Sequence, residues 1–236
     1  MRLDKLLSQC GFGSRKDVKA LLKQKMVTVD GEAVTRPEAH VDPTSSQIMV
    51  GGEAVVYEKY IYLMMNKPPG VISATHDRRD RTVIDLLDER LQGQDLFPVG
   101  RLDKDTTGLV ILSNDGGFAH RALSPKKHVE KVYRAVVNRP VTAQDIGAFA
   151  AGLALGDGFV CMPAALSSVD EGAAQVVIKE GKFHQVKRMF AAVGIDVLVL
   201  ERVAFAGITL DKGLPQGEYR PLNMEEMHMI EGLLSD

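Results

Sequence analysis

Between the apolar stretches Phe97-Pro98-Val99 and Leu109-Val110-Ile111-Leu112 the chain places Gly100-Arg101-Leu102-Asp103-Lys104-Asp105-Thr106-Thr107-Gly108. Two carboxylates, two hydroxyls and two glycines in one short loop exceed what a turn needs. A loop carboxylate can act as a nucleophile, splitting one hard step into two through a covalent intermediate. Asp and Thr also stabilise turns by bonding their side chains to the backbone. On spacing alone the loop supports structure and catalysis equally.

The elements that must position this loop are strands with helices between them. Tyr60-Ile61-Tyr62-Leu63-Met64-Met65 is strand-like and ends at the turn Asn66-Lys67-Pro68-Pro69-Gly70. Val71-Ile72-Ser73 resumes a strand, and Thr82 to Leu91 is expected to be helical. Leu109 to Leu112 is a short strand closed by Asn114-Asp115-Gly116-Gly117. Lys131 to Val137 and Ala174 to Ile178 alternate as strands. Val186 to Ala192 reads as a helix. The pattern is that of an α+β fold with a mixed, mainly antiparallel sheet.

A different plan precedes it. Leu3, Leu6, Leu7 and Cys10 recur at helical spacing, and Gly11 and Gly13 end that helix. Ser14 caps a second helix, with Asp17 as its capping-box partner. Val18, Leu21 and Leu22 form the inner face of this helix. Arg15, Lys16, Lys19 and Lys23 lie on its outside. Val27-Thr28-Val29, Asp30-Gly31 and Glu32-Ala33-Val34 read as a tight hairpin, because Asp-Gly suits a turn with positive φ at both central residues. A Gly51-Gly52 turn separates Ile48-Met49-Val50 from Ala54-Val55-Val56. The division expected is 1–57 and 58–236.

Composition bounds the rest. The chain has 236 residues, 45% hydrophobic and 25% charged, enough for one or two packed domains. No apolar run approaches the roughly 20 residues of a membrane span, and the start does not read as a signal peptide, so a cytoplasmic protein is expected. Cys10 and Cys161 are far apart and read as core thiols, not a zinc site. The net charge of −2 hides segregation. Residues 1–26 hold seven basic residues against two acidic ones, and residues 121–139 hold six against one, a local +5 in each. Such patches on a near-neutral chain point to a polyanion-binding face, although charge runs more often merely face water.

Residues 1–57, through Arg2-Leu3-Asp4-Lys5-Leu6-Leu7, Ser14-Arg15-Lys16 and Val27 to Val34, resemble the S4 RNA-binding domain. That resemblance implies RNA contact by Arg15, Lys16, Lys19 and Lys23, whose charges neutralise phosphates and release counterions. The Asp103 loop is similar to the Gly-Arg-Leu-Asp-x-Asp-Thr-x-Gly-Leu signature of the ribosomal RNA pseudouridine synthases. Three flanking blocks agree in order: Asn66 to Gly70, Glu130-Lys131-Val132-Tyr133, and Glu180-Gly181-Lys182-Phe183-His184-Gln185-Val186-Lys187-Arg188-Met189-Phe190. The last resembles the small-subunit branch of the family.

The resemblance implies that Asp103 is the nucleophile and that no cofactor or metal is used. Tyr133 then stacks on the target base and takes part in proton removal at C5. Lys187, or Arg188 beside it, pairs with Asp103 and keeps it ionised. Ile178 packs near the uracil or is plain core. Arg101 helps to extrude the target nucleotide, which costs a few kcal/mol. Lys67 is a phosphate contact. His184 reads as structural or as an RNA contact in preference to a general base. The implied partner is ribosomal RNA, 16S or a small-subunit assembly intermediate, with a 23S target as the alternative; a monomer is the default.

Two other readings are weaker. Asp103-Lys104-Asp105-Thr106 has the outline of a magnesium-binding Asp-x-Asp-x-Thr phosphatase motif. That motif needs an apolar run directly before the first aspartate, which Gly100 and Arg101 interrupt. A non-catalytic S4-type assembly factor would not need Asp103, Tyr133 and Lys187 together.

Overall fold

The computed structural model describes residues 1–170 and 172–235. The chain forms two compact units: Met1–Ile61 with Leu87–Leu96, and Tyr62–Leu86 with Phe97–Asp236.

The first unit opens with α1 (Leu3–Gln9) and α2 (Arg15–Lys23). Ser14 caps α2 as its sequence requires: its hydroxyl accepts the Asp17 N–H, and the Asp17 carboxylate accepts the Ser14 N–H at 2.9 Å. Strands β1 (Val27–Val29), β2 (Glu32–Ala33), β3 (Ile48–Val50) and β4 (Glu53–Ala54) form a sheet ordered β2-β1-β3-β4. Asp30 and Gly31 turn the first hairpin at φ 52° and 88°, the left-handed pair that a two-residue loop demands. Leu3, Leu6, Leu7 and Cys10 meet Val18, Leu22, Val27, Ile48 and Val50 in one core. Burial pushes the Cys10 thiol up to about 11, as befits an inert core cysteine. The later segment Leu87–Leu96 brings the single-turn α3 (Glu89–Gln92) to this unit.

The second unit is built on a larger sheet. In chain order its described strands are β5 (Tyr62–Lys67), β6 (Phe97–Val99), β7 (Thr107–Ser113), β8 (Lys131–Val137), β9 (Ala165–Asp170), β10 (Ala173–Ile178), β11 (Val197–Phe205), β12 (Ile208–Thr209) and β13 (Tyr219–Pro221). Across the sheet they run β13-β5-β7-β11-β8-β10-β9, with β6 paired to β7 and β12 to β11. The β7–β11 pair is parallel; every other pair is antiparallel. The β7 strand is wholly buried, which explains its unbroken apolar run. Helices α4 (Gly116–Leu123), α5 (Ala143–Ala151), α6 (Gln185–Ala192) and α7 (Met224–Ser235) pack with it. The fold is α+β, with a mixed and mainly antiparallel sheet.

Two expectations fail locally. Thr82 to Leu91 is not one helix: a 3₁₀ turn spans Ile84–Leu86, and α3 begins separately at Glu89. Asp85 bonds back to the Thr82 N–H, and Asp88 starts afresh by accepting the Leu91 N–H at 2.8 Å. Two capping carboxylates so close together restart the helix instead of extending it. Val71 to Ser73 likewise makes only an isolated bridge, Ile72 to Thr82.

Candidate active site

The Asp103 loop lies between β6 and β7. Its far end is forced by backbone proximity. Gly108 sits at φ 98°, and a Cβ there would lie 2.4 Å from the Arg202 carbonyl oxygen of β11, so the parallel β7–β11 approach admits only glycine. Its near end turns at Gly100, φ 84°. The Thr106 N–H closes a turn on the Asp103 carbonyl at 3.1 Å.

Beneath the loop runs Lys67, at the end of β5 and with no exposed surface. Its ammonium donates to the carbonyls of Pro68 at 3.0 Å, Lys104 at 3.3 Å and Thr106 at 2.8 Å. Lys67 is therefore not a phosphate contact: its donors are all taken by backbone oxygens inside the protein. Burial pulls its pKa down to about 8, against the attraction of Asp105 and Asp103, which favours the ammonium. The Gly70 N–H donates to the Lys104 carbonyl at 2.8 Å, and the Ser73 hydroxyl accepts the Leu102 N–H at 3.0 Å. The loop is thus stitched to the Asn66–Ser73 segment along most of its length.

Asp103 keeps 29% of its side-chain surface exposed. Its nearest ionisable partner is His184, with Nε2 3.5 Å from Oδ1. His184 holds φ 48° directly ahead of α6, a conformation uncommon outside glycine, and its ring stacks on Phe183 at 3.8 Å. Phe183 itself is 76% exposed. Sequence reasoning places His184 away from the chemistry; its left-handed backbone, invisible in the residue string, is what aims it at Asp103.

Neither cation expected to pair with Asp103 does so. Lys187 Nζ lies 2.6 Å from both carboxylate oxygens of Asp105, which holds the Asp105 pKa below the usual range. Arg188 pairs with Asp157 at 2.6 Å. Successive residues of a helix point about 100° apart, so Lys187 and Arg188 face different carboxylates. Lys187 reaches the right loop but the second aspartate. Arg101 is exposed.

Tyr133 is almost fully buried, on the face of β8 that carries Lys131, Ala135 and Val137. Across the ladders it faces Val176 of β10 and Arg202 of β11. Arg202 is wholly buried opposite Tyr133 in the β8–β11 ladder, and its Nε donates to the Leu109 carbonyl at 2.8 Å. Burial lowers the Arg202 pKa, and Nη2 has no hydrogen-bond partner among the described residues. Ile178 is buried opposite Lys131. Lys131 donates to the Val129 carbonyl, and burial lowers its pKa to about 8. Sequence reasoning misses Arg202; a lone arginine within the apolar run Val197 to Phe205 is the signal that marks it.

The 121–139 patch is thinner in three dimensions than in the residue string. Lys131 is buried, Arg134 pairs with Asp170 at 3.4 Å, and Arg139 is clamped by Asp145 at 2.7 and 3.1 Å. By contrast Arg15, Lys16, Lys19 and Lys23 are all exposed on α2. Among the described residues no group of three or more His, Cys, Asp or Glu could hold a metal ion.

Residues 61–192, which carry Lys67, Asp103, Tyr133, His184 and Lys187, match the family described as RNA pseudouridylate synthase. The chain belongs to that family. Residues 1–45 of the synthase match the S4 domain. It is 46% identical to a Bacillus subtilis (strain 168) protein described as "Uncharacterized RNA pseudouridine synthase YtzG", over 98% of both chains. It is 40% identical to ribosomal small subunit pseudouridine synthase A of Escherichia coli (strain K12), over 98% of this chain and 100% of that one. A crystal structure described as a pseudouridylate synthase superposes with a TM-score of 0.69 at 36% identity, covering 98% and 99% of the two chains. Among the described residues no helix of the synthase is long and apolar enough to cross a membrane.

Proposed function

We propose that this synthase isomerises one uridine of small-subunit ribosomal RNA to pseudouridine, with Asp103 as nucleophile and no cofactor. The observation that supports this most is the Asp103 carboxylate itself. It is partly open to solvent, sits on a loop locked from below by Lys67, and has His184 beside it, while Lys187 of α6 grips Asp105 two residues further along the loop. Full-length similarity to a small-subunit synthase directs the choice of RNA.

The reaction breaks the N1–C1′ bond, turns the base, and joins C5 to C1′. A proton leaves C5 and one arrives at N1, so the balance needs no oxidant or second substrate. Asp103 attacks the uridine as the N1–C1′ bond opens, and its bond to the substrate breaks again once C5 has joined C1′, which returns the free carboxylate. Tyr133, opposite the buried Arg202, forms part of the floor on which the base rests and helps to move the C5 proton. Lys187 supplies positive charge at the loop once the RNA displaces Asp105. Arg101, exposed beside the nucleophile, helps to extrude the target nucleotide from its stack. Arg15, Lys16, Lys19 and Lys23 hold RNA phosphates. The synthase works as a cytoplasmic monomer on 16S RNA or an assembly intermediate containing it.

Asp103→Asn is the test: it is expected to bind ribosomal RNA as the wild type does and to form no pseudouridine. Normal isomerisation by that variant would overturn the assignment. Pseudouridine mapping with and without the protein identifies the target; a change confined to 23S RNA would move the substrate to the large subunit. Wild-type protein that binds ribosomal RNA and modifies nothing would be an assembly factor.

A further inference from the structure

Phe183 takes no part in the chemistry above, yet it stands one ring away from the nucleophile. Its ring stacks on His184 at 3.8 Å between centroids and 19° between planes, and His184 Nε2 lies 3.5 Å from Asp103 Oδ1. Phe183 and His184 are the central residues of a turn locked at both ends. The Gln185 N–H donates to the Lys182 carbonyl at 3.1 Å, and the Lys182 N–H donates to the Gln185 side-chain oxygen at 2.8 Å. Gln185 is itself buried and donates to Glu180 Oε1 at 2.6 Å, which also accepts the Met162 N–H at 2.8 Å. Arg188 donates to the Phe183 carbonyl at 3.4 Å.

A phenyl ring 76% exposed forgoes the gain of burial. A single surface aromatic often needs no explanation. This one is held: the turn fixes its backbone, the imidazole covers one face, and the other face is open. Its surroundings do not make an apolar patch for a protein partner. Lys182 and His184 flank it in the turn, both exposed, and Arg188, which reaches its carbonyl, is paired with Asp157. The ligand that fits one open, rigid aromatic face amid cations is a flat ring on an anionic chain, and every nucleobase of an RNA strand is one. A uridine that leaves its stack to reach Asp103 also strips its neighbour of a stacking partner. Phe183 is placed to supply one.

We propose that Phe183 is a stacking subsite for the unpaired base next to the target uridine, with His184 as the second layer beneath it. This rests on the reading of Asp103 as the site where the uridine is held. The contact is to a base face, so it adds affinity without a phosphate contact and without reading base identity. It also ties the subsite to the nucleophile, because the ring that backs Phe183 is the one that meets Asp103.

The test is full-length Phe183→Leu, which keeps the apolar bulk and removes the flat ring, with Phe183→Tyr as the rescue. The probes are a 16S RNA transcript and a single-stranded 12-nucleotide RNA carrying one uridine with 2-aminopurine as its 5′ or its 3′ neighbour. The fluorescence measurement is made on the Asp103→Asn protein, so that binding is read apart from turnover. Binding is expected to change the 2-aminopurine fluorescence on one side of the uridine. Adding Phe183→Leu removes that change, and adding Phe183→Tyr keeps it. On the transcript, Phe183→Leu raises KM about 5- to 100-fold, the range of one base–aromatic stack, with a smaller effect on kcat, and Phe183→Tyr restores KM. The salt slope of binding stays that of the wild type, since no phosphate contact is lost. Fluorescence that ignores the leucine, or a kcat loss with KM unchanged, would overturn the subsite; the second result would make Phe183 a brace for His184 only. A flattened salt slope would overturn it too. If the leucine-sensitive signal is present but the wild type forms no pseudouridine in ribosomal RNA, the subsite stands and the catalytic reading falls. Wild-type KM and kcat in Phe183→Leu sink the subsite alone.

Discussion

Lys187 grips Asp105, not Asp103: its ammonium stands 2.6 Å from each oxygen of the second carboxylate in the loop. The site at rest therefore holds this cation two residues from Asp103, on a partner 74% exposed. A solvent-exposed pair of this kind is worth about 1 kcal/mol at most, so RNA phosphates can compete for it.

From this, Lys187→Gln is expected to lower kcat about 10- to 100-fold, a loss of about 1.4–2.7 kcal/mol of transition-state stabilisation. Asp105→Asn should cost less than that, because it frees the lysine instead of removing it. Pseudouridine formed per minute on a 16S transcript measures both. Equal, severe losses in the two variants would mean that the ion pair itself, not the lysine, is needed.

The α2 face should behave as an electrostatic anchor. Replacing Lys16, Lys19 and Lys23 together by Gln is expected to reduce the salt slope of ribosomal RNA binding by about 2 to 3. Substitution is preferred to truncation at residue 57, because Leu87–Leu96 belongs to the same compact unit and would be stranded. An unaltered slope would exclude this face from RNA binding.

Gly108→Ala would drive a methyl group against the Arg202 carbonyl and impose a left-handed backbone on alanine. A destabilisation of about 2–4 kcal/mol, together with loss of activity, is the expectation. Urea unfolding followed by circular dichroism reads the first directly, and wild-type stability in the variant would show that β7 and β11 can part.

Lys131 yields a prediction in alkali. Folded, its amine loses its proton near pH 8; unfolded, it keeps it to about 10.5. Between those values the unfolded chain binds more protons, so stability rises with pH relative to a chain lacking this group. Wild type should gain roughly 3 kcal/mol on Lys131→Met between pH 7 and pH 11. A constant difference between the two across that range would show the ammonium to be well hydrated.

Asp145 predicts the opposite limb. Arg139 and the Thr142 cap hold its carboxyl far below the ordinary 3.8. Its contribution is complete above about pH 4 and is lost as the pH falls toward the folded value. Asp145→Ala is expected to lose about 2–4 kcal/mol at pH 7 and to approach wild type near pH 2, as acid unfolding curves would show.

Much of this molecule was legible in the residue string because it is local. The capping box Ser14–Asp17, the Asp30-Gly31 turn and the alternation of Lys131 to Val137 depend on neighbours a few positions away, and each formed as its chemistry dictates. The composition and order of Asn66 to Gly70, Gly100 to Leu109 and Glu180 to Phe190 likewise pointed to the family without coordinates. Thr82 to Leu91 misled because its apolar spacing concealed two competing capping carboxylates.

What only the tertiary structure decided is the partner of each charge. Lys67, Lys131 and Arg202 look like surface cations in a string, yet each lies buried beside backbone carbonyls supplied by the packing. Lys187 and Arg188 are adjacent in sequence but diverge around a helix to Asp105 and Asp157. His184 meets Asp103 because a left-handed residue happens to start α6. Local sequence sets backbone preference over a few bonds. The field at a carboxylate is set over several ångströms by groups up to 82 positions away in the chain, as Lys187 is from Asp105, and only the packed sheet brings those together.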